Sequence, residues 1–347
     1  MPHTGLNVQH TPRCDCRWAL NTSGVSCFGA DDGSTCWRRC CQPPLRNPRL
    51  LVVVQTHVVD ETMLERYQLA KSQLEEGGHS FHIAYLIGDG PNDSCRRRTH
   101  PKYRQLQRVR DALGSYTVWC IDPPLYRKVF PHIFSQLRQV PTRERYPKKG
   151  AVDGFNWAWT QCDLHAFVGY FGRHEPRRFQ PPDYLWVIDW DVAWTGNLHR
   201  ILRAFDRVRA DLLTFDEVKA ERDDHSYLQQ SLRNYLADDE VRKALIVPAR
   251  YSRRMLGATK QLVASGKHCF CETRGPSLCH ASNWCTQRAM QSLRPDIFGQ
   301  YHCCNDIPLE HVAAMQEAWR RDASASRPPG QLLHRVRGKL GRLSVGR

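Results

Sequence analysis

The residue types and spacing that invite chemistry are concentrated in one stretch, Asp183 to Asn197, which reads D-Y-L-W-V-I-D-W-D-V-A-W-T-G-N. Tyr184 to Ile188 is an unbroken run of apolar and aromatic residues of strand-forming type. Asp189 and Asp191 follow it, two residues apart. On a strand, side chains at that spacing project to the same side, so both carboxylates are expected to face one place. Two carboxylates leaving a buried strand repel each other and resist desolvation unless a cation lies between them. Hard oxygen ligands in this pattern suit Mg2+ or Mn2+, an ion usually shared with the phosphates of a substrate. The plain alternative is a strand end stepping into solvent.

The elements that must position this pair are legible on either side of it. A strand apolar on both faces belongs in the middle of a parallel sheet covered by helices. Thr195-Gly196-Asn197 turns the chain into the periodic segment Leu198, Ile201, Leu202, Phe205, a helix. The carboxylates then lie at the carboxyl end of the strand, where open α/β sheets bind ligands. Upstream, Leu50 to His57 is a first buried strand and Met63 to Leu74 a helix stopped by Gly77-Gly78. Phe81 to Ile87 is a second strand, ending at Gly88-Asp89-Gly90, which completes one right-handed parallel unit. Tyr116 to Ile121 predicts a third strand, Leu125 to Leu137 a helix, and Asp153 to Phe171 a core helix with apolar and aromatic residues at helical spacing. Beyond the acidic pair, Ala210 to Phe215 and Leu245 to Pro248 read as strands, and Tyr251 to Gly266 and His311 to Trp319 as helices. No G-x-G-x-x-G occurs, which disfavours a dinucleotide site.

A hydrophobic strand ending in D-x-D and followed by V-x-x-[ST]-G, here Val192 to Gly196, resembles the nucleotide-sugar-dependent glycosyltransferases of the GT-A fold. It is most similar to algal and bacterial members with an aromatic-rich strand before the acidic pair. The resemblance implies an α/β chain with a three-layer, Rossmann-like, mostly parallel sheet flanked by helices. It implies that Asp189 and Asp191 hold Mn2+ or Mg2+ on the diphosphate of a nucleotide-sugar donor, and that the sugar passes to a hydroxyl of a glycan or protein acceptor. The first strand ends receive the nucleotide in that fold, which makes Thr56, His57 and Asp89, beside Asp189, candidate donor contacts. Turn or cap chemistry is the competing reading for the first three. A carboxylate of the second half, Glu272 or behind it Asp306, would meet the acceptor hydroxyl and act as base in an inverting enzyme. A late histidine often completes the metal shell there, so His280 and His302 are candidates.

The composition fits a large folded domain. The chain has 347 residues, of which 41% are hydrophobic and 10% aromatic, enough for a substantial core and unlike a disordered protein. Fifty Lys and Arg against 35 Asp and Glu give a net charge of +15. The excess lies in local clusters such as Arg96-Arg97-Arg98 and in the tail, not on a basic recognition helix, so no nucleic-acid partner is expected.

Fifteen cysteines fit either a disulfide-stapled lumenal protein or a zinc protein. No C-x2-C spacing occurs, which favours disulfides. The late cluster His268, Cys269, Cys271, Cys279, His280, His302, Cys303 and Cys304 is the zinc alternative. Asn21-Thr22-Ser23 and Asn92-Asp93-Ser94 are glycosylation sequons, which suit the Golgi or secretory lumen. No signal peptide or anchor is visible, so membrane association would rest on an anchor outside this chain. The expected organisation is an irregular Cys-rich extension over 1–48, a GT-A-like domain over 49–320 and a basic flexible tail over 321–347. Two rivals stand beside the transferase reading: a metal-dependent nucleotidyl- or phosphotransferase, and a non-catalytic Cys/His zinc protein that binds nucleic acid.

Overall fold

The structure, a computed structural model, describes residues 17–21, 24–28, 47–138, 157–173, 181–216, 219–220, 236, 241–266, 269–298, 307–322, 329–334 and 336–337. The chain divides into two units, Met1–Arg46 and Asn47–Arg347. In the first, β1 (Arg17–Asn21) and β2 (Gly24–Phe28) form an antiparallel hairpin inside the stretch expected to be irregular.

The second unit is built on a seven-stranded sheet. Its strands are β3 (Leu50–Thr56), β4 (Ser80–Leu86), β5 (Val118–Ile121), β6 (Tyr184–Asp189), β8 (Leu212–Thr214), β11 (Ala249–Ser252) and β12 (Gln287–Ala289), with the two-residue β7 (Ala193–Trp194), β9 (Lys219–Ala220) and β10 (Arg242–Lys243) outside it. The order across the sheet is β12-β8-β11-β6-β3-β4-β5. β3, β4, β5 and β6 run parallel, β11 is antiparallel to both of its neighbours, and β12 runs parallel to β8. Helices Glu61–Glu76, Tyr103–Leu113 and Leu198–Arg203 pack together, as do Pro123–Val129 with Leu164–Arg173 and Arg253–Ala264 with Cys271–His280. These groups flank the sheet. This is the mostly parallel, helix-covered α/β sheet that the sequence implies.

Local sequence explains the elements that matter most. The β3 residues Leu50 to Val54 are almost wholly buried, so the strand is apolar on both faces because both are covered. The Glu61–Glu76 helix starts where the Asp60 carboxylate accepts from Met63 N at 2.8 Å and ends at Gly77-Gly78. Asn197 caps the Leu198–Arg203 helix by accepting from Arg200 N at 3.1 Å.

Three expectations are corrected. Leu245 to Pro248 is not a strand; the pairing strand β11 begins at Ala249, one residue past a proline that has no N–H to give a ladder. The single helix expected over Asp153 to Phe171 is two, Trp157–Thr160 and Leu164–Arg173, because Gln161 and Asp163 turn inward to Arg274. The tail expected to be solvated from residue 321 returns to the fold. There β14 (Leu332–Leu333) pairs antiparallel with β7, and β15 (Val336–Arg337) pairs with β13 (Ile307–Pro308). Leu332 and Leu333 are fully buried, a driving force that outweighs the polar composition around them.

The returning segment locks onto the Thr195-Gly196-Asn197 turn. Thr195 N donates to Gln331 O at 2.9 Å and Asn197 N to Pro329 O at 3.1 Å. Gly196 lies between them at φ +76°, where an added Cβ would come within 2.5 Å of Pro329 O. Gly196→Ala combines a left-handed backbone with a backbone clash and is expected to cost about 2–4 kcal/mol in urea unfolding. A loss below about 0.5 kcal/mol, the range of an ordinary surface change, would mean the crossing is not tight.

Candidate active site

The carboxyl ends of β3, β4 and β6 open onto a cleft of about 310 Å3. Its lining brings together four residues singled out from sequence, Thr56, His57, Asp89 and Asp189, and adds Lys102 and Trp190. The register explains why. Gln55 of β3 lies opposite Asp189 of β6, and its side-chain amide donates to Asp189 Oδ1 at 2.6 Å while accepting from Ala166 N at 3.3 Å. Gln55, a polar end to an otherwise apolar strand, therefore aims Asp189 at the cleft. Sequence reasoning passed it over.

The acidic pair differs in detail from expectation. β6 ends at Asp189; Trp190 and Asp191 lie in a turn closed by Val192 N donating to Asp189 O at 3.1 Å. Strand alternation thus does not set the direction of Asp191. The charge of Asp191 nevertheless acts on Asp189. Burial first, then the charge of Asp191, holds the Asp189 carboxyl well above the usual carboxylate range, against the opposing hydrogen bond from Gln55. The charges of Asp163 and Glu272 add to that rise.

Asp191 has a partner from the returning tail. His334 Nε2 lies 3.7 Å from Asp191 Oδ1, and Val336 N donates to the Asp191 carbonyl at 2.8 Å. The β14–β7 pairing thus brings His334, which the sequence did not single out, beside the acidic pair. His280 is exposed at the far end of the Cys271–His280 helix from Glu272, about 12 Å away at 1.5 Å per residue. His302 and Asp306 lie outside the described residues. Only a long-range strand pairing marks His334; its local sequence, H-R-V-R, carries no signal.

The remaining candidates fall into place as follows. Glu272 stands in the first turn of its helix, with Oε2 3.6 Å from Lys243 Nζ. A disulfide from Cys271 to Cys162 ties that turn to the cleft wall, because Cys162 lines the cleft. Thr56 Oγ1 is engaged in a local turn with Val58 O and Val58 N, the cap-type role. His57 is exposed and meets the Trp190 ring edge-on at 5.3 Å, so the two form one wall. The Asp89 carbonyl accepts from Trp157 Nε1 at 2.9 Å, fixing that loop where Asp89 lines the cleft.

Among the described residues the disulfides are Cys95–Cys120, Cys162–Cys271 and Cys279–Cys285, and Cys269 is a buried free thiol. Cys271 and Cys279 thus leave the late Cys/His cluster on which the zinc alternative depends. Among the described residues no three His, Cys, Asp or Glu side chains converge as a ready-made metal cluster. Among them, too, no helix is long and apolar enough to cross a membrane.

Two histidines are held neutral. His165, on the cleft floor, is bonded to Tyr126 Oη and to Ala158 O, and burial pushes it down to about 4. His79, under the sheet beside His199, is pushed down to about 4 by burial and then by the charges of His199 and Arg203. Both have folded pKa values below the ordinary 6.5. The unfolded chain therefore binds more protons between about pH 6.5 and 4, and stability is full above that window and lost as pH falls through it. The fully buried His165 is expected to contribute about 3 kcal/mol of the loss, and the half-buried His79, screened by solvent, less. His79→Gln should flatten the fall in urea stability between pH 7 and 4.5 relative to the parent; Asp189, which acts in the opposite sense, cancels in that comparison. An equally steep fall in the variant would remove His79 as a cause.

No family model matches the chain, and no curated protein matches it in sequence. Among solved structures the chain is similar to the apo form of mouse xyloside xylosyltransferase 1, with 10% identity and a TM-score of 0.34 over 83% of this chain and 96% of that one. A likeness of that size bears on neither the site nor the reaction.

Proposed function

We propose that the chain is a metal-dependent glycosyltransferase that moves a sugar from a nucleotide sugar to a hydroxyl of a glycan or protein acceptor. The observation that carries this reading is the placement of Asp189 in a cleft at the carboxyl ends of the parallel strands, with Asp191 in the turn that follows it. Asp189 and Asp191 are the carboxylates that would hold Mn2+ or Mg2+ through their oxygens, with the His334 imidazole beside Asp191; the three do not converge as a ready-made cluster, so binding would have to draw them together. When bound, the ion offsets the charge that develops on the departing diphosphate. Fit is supported by the electrostatics: burial and the charge of Asp191 raise the Asp189 carboxyl, and a cation would oppose both effects.

The chain's own residues supply the rest. Lys102 brings a positive charge to the donor side of the cleft. His57 and Trp190 offer a wall and an aromatic face for the nucleoside, and Asp89 lines the same cleft. Glu272, within electrostatic reach of Asp189, is the carboxylate for the acceptor hydroxyl. The three disulfides among the described residues suit an oxidising compartment and support a secretory lumen as the site of action.

The direct test supplies a panel of nucleotide sugars with and without Mn2+ and identifies the released product. Mn2+-dependent release of nucleoside diphosphate is expected. Release of pyrophosphate would transfer the site to nucleotidyl chemistry.

A further inference from the structure

A dense run of positive charge lies beside the cleft and takes no part in the chemistry above. The seventeen residues from Ser94 to Arg110 hold seven Lys or Arg and no Asp or Glu. They occupy the loop after β4 and most of the Tyr103–Leu113 helix. The loop leaves the cleft wall at Gly88 and Asp89 and rejoins it at Lys102. Arg96, Arg97 and Arg98 are exposed on the turns between, and Arg104 is exposed in the first turn of the helix. Leu106, Val109 and Leu113 are the buried face of that helix, so Arg104 and, one turn on, Arg108 stand on the side away from the core.

The acidic groups around the loop are already used within it. The Asp93 carboxylate accepts from Gly90 N at 2.7 Å and lies 3.1 Å from His100 Nε2. Asp122 accepts from Cys95 N and from Leu125 N, both at 2.8 Å. Glu61 is paired with Arg108. Among the described residues Arg96, Arg97, Arg98 and Arg104 form no ion pair. The turns that carry them are held in place. The Cys95–Cys120 disulfide staples the loop to β5, Arg97 N donates to Ser94 O and His100 N to Arg97 O at 3.0 Å, and Lys102 N donates to His100 Nδ1 at 3.2 Å. The guanidinium groups therefore stand together in solvent on a fixed backbone, and an approaching polyanion gains from all of them with little ordering of the main chain.

The surroundings select the kind of polyanion. Stacking on nucleic-acid bases uses aromatic side chains set among the charges, yet Tyr103, the one Phe, Trp or Tyr of this run, is half-buried against the core. Insertion at a membrane surface uses exposed apolar groups, and the exposed residues from 94 to 104 include only Pro101 of that kind. The disulfide in the loop itself suits an oxidising compartment, where nucleic acid is not the usual polyanion.

We propose that this face is a docking surface for an anionic glycan, a saccharide chain carrying sulfate or carboxylate groups, held along the rim of the cleft. Arg96, Arg97, Arg98 and Arg104 are the contacts, each offering charge-assisted hydrogen bonds. The docked glycan is then the acceptor of the transfer; that use rests on the transferase reading, and the binding itself does not.

The test is calorimetric titration of the full chain with a heparin octasaccharide and, as an uncharged control, maltooctaose, over a series of salt concentrations. The heparin fragment is expected to bind saturably, with an affinity that falls steadily as salt rises, and maltooctaose not to bind. The combined variant Arg96→Ser, Arg97→Ser, Arg98→Ser should weaken heparin binding by about tenfold or more and flatten its salt dependence. Those side chains are exposed and the turn hydrogen bonds are made by the backbone, so the variant keeps its fold. A second variant, Arg200→Ser, Arg207→Ser, Arg320→Ser, removes the same charge from other exposed positions and should bind like the parent. Equal weakening in the two variants, equal binding of maltooctaose, or no saturable binding of heparin would overturn the surface. Tighter binding of an oligonucleotide of equal charge, or of phosphatidylserine vesicles, would overturn the choice of a glycan. Heparin binding without donor cleavage would support this face and remove the transferase reading; donor cleavage without heparin binding would do the reverse.

Discussion

Asp191→Asn should lower Mn2+-dependent cleavage of the donor by on the order of 10²–10³-fold, the scale of losing one group that stabilises transition-state charge. The substitution is close to isosteric and leaves intact the backbone bond in which the Asp191 carbonyl accepts from Val336 N. The fold should therefore hold. Stability should if anything rise, because the charge of Asp191 is one cause of the elevated Asp189 carboxyl, and removing it eases a repulsion at a buried site. His334→Gln is expected to behave differently. Its imidazole lies 3.7 Å from Asp191, so its loss should raise the Mn2+ concentration for half-maximal rate by about ten- to a hundred-fold and be overcome by excess ion. Undiminished cleavage in a folded Asp191→Asn protein would remove the metal role from this turn, and with it the transferase reading.

The placement of Asp191 also shows where sequence reasoning reached and where it stopped. Strands β3, β4 and β6 were legible because each is an apolar run too long for a turn and too short for a helix, bounded by recognisable stop signals. The carboxyl-end location of Asp189 followed from those strands alone. Strand β11 was misplaced for a physical reason. Its Arg250 reads as a surface residue, yet it is 1% exposed, because its guanidinium donates to the carbonyls of Phe205, Val208 and Ala210 and lies 3.9 Å from the Tyr184 ring. Only the fold supplies those partners.

The Cys271–His280 helix escaped notice because Gly275-Pro276 reads as a breaker, while its stability comes from the Cys162 disulfide and the Arg274 network. His334 is the clearest case. A two-leucine strand is below any periodicity, and the histidine that follows gains its meaning only from pairing more than a hundred residues back in the sequence.

The largest expected loss of stability comes from a pair that touches no substrate. Arg274 and Asp163 form an ion pair with both side chains fully buried, and Arg274 also bonds the Gln161 side chain and, at 2.8 Å, the Cys269 carbonyl. Burial raises the Asp163 carboxyl and the Arg274 charge opposes that rise, so each group is tolerable only beside the other. Asp163→Asn leaves a guanidinium in the core without its counter-charge and is expected to cost about 3–5 kcal/mol in urea unfolding.

Asp163→Leu with Arg274→Met should recover much of that loss, since an apolar pair of similar volume carries no desolvation penalty. The double variant then isolates a second role. Asp163 adjoins Cys162 on the cleft wall, and Arg274 is two residues beyond Glu272, so pair and disulfide together hold the Glu272 helix against the cleft. If the pair serves stability alone, the double variant should turn over substrate like the parent. The two-point attachment predicts instead a stable protein with a lowered kcat and an unchanged Mn2+ requirement; parental kcat in the rescued variant would confine the pair to stability.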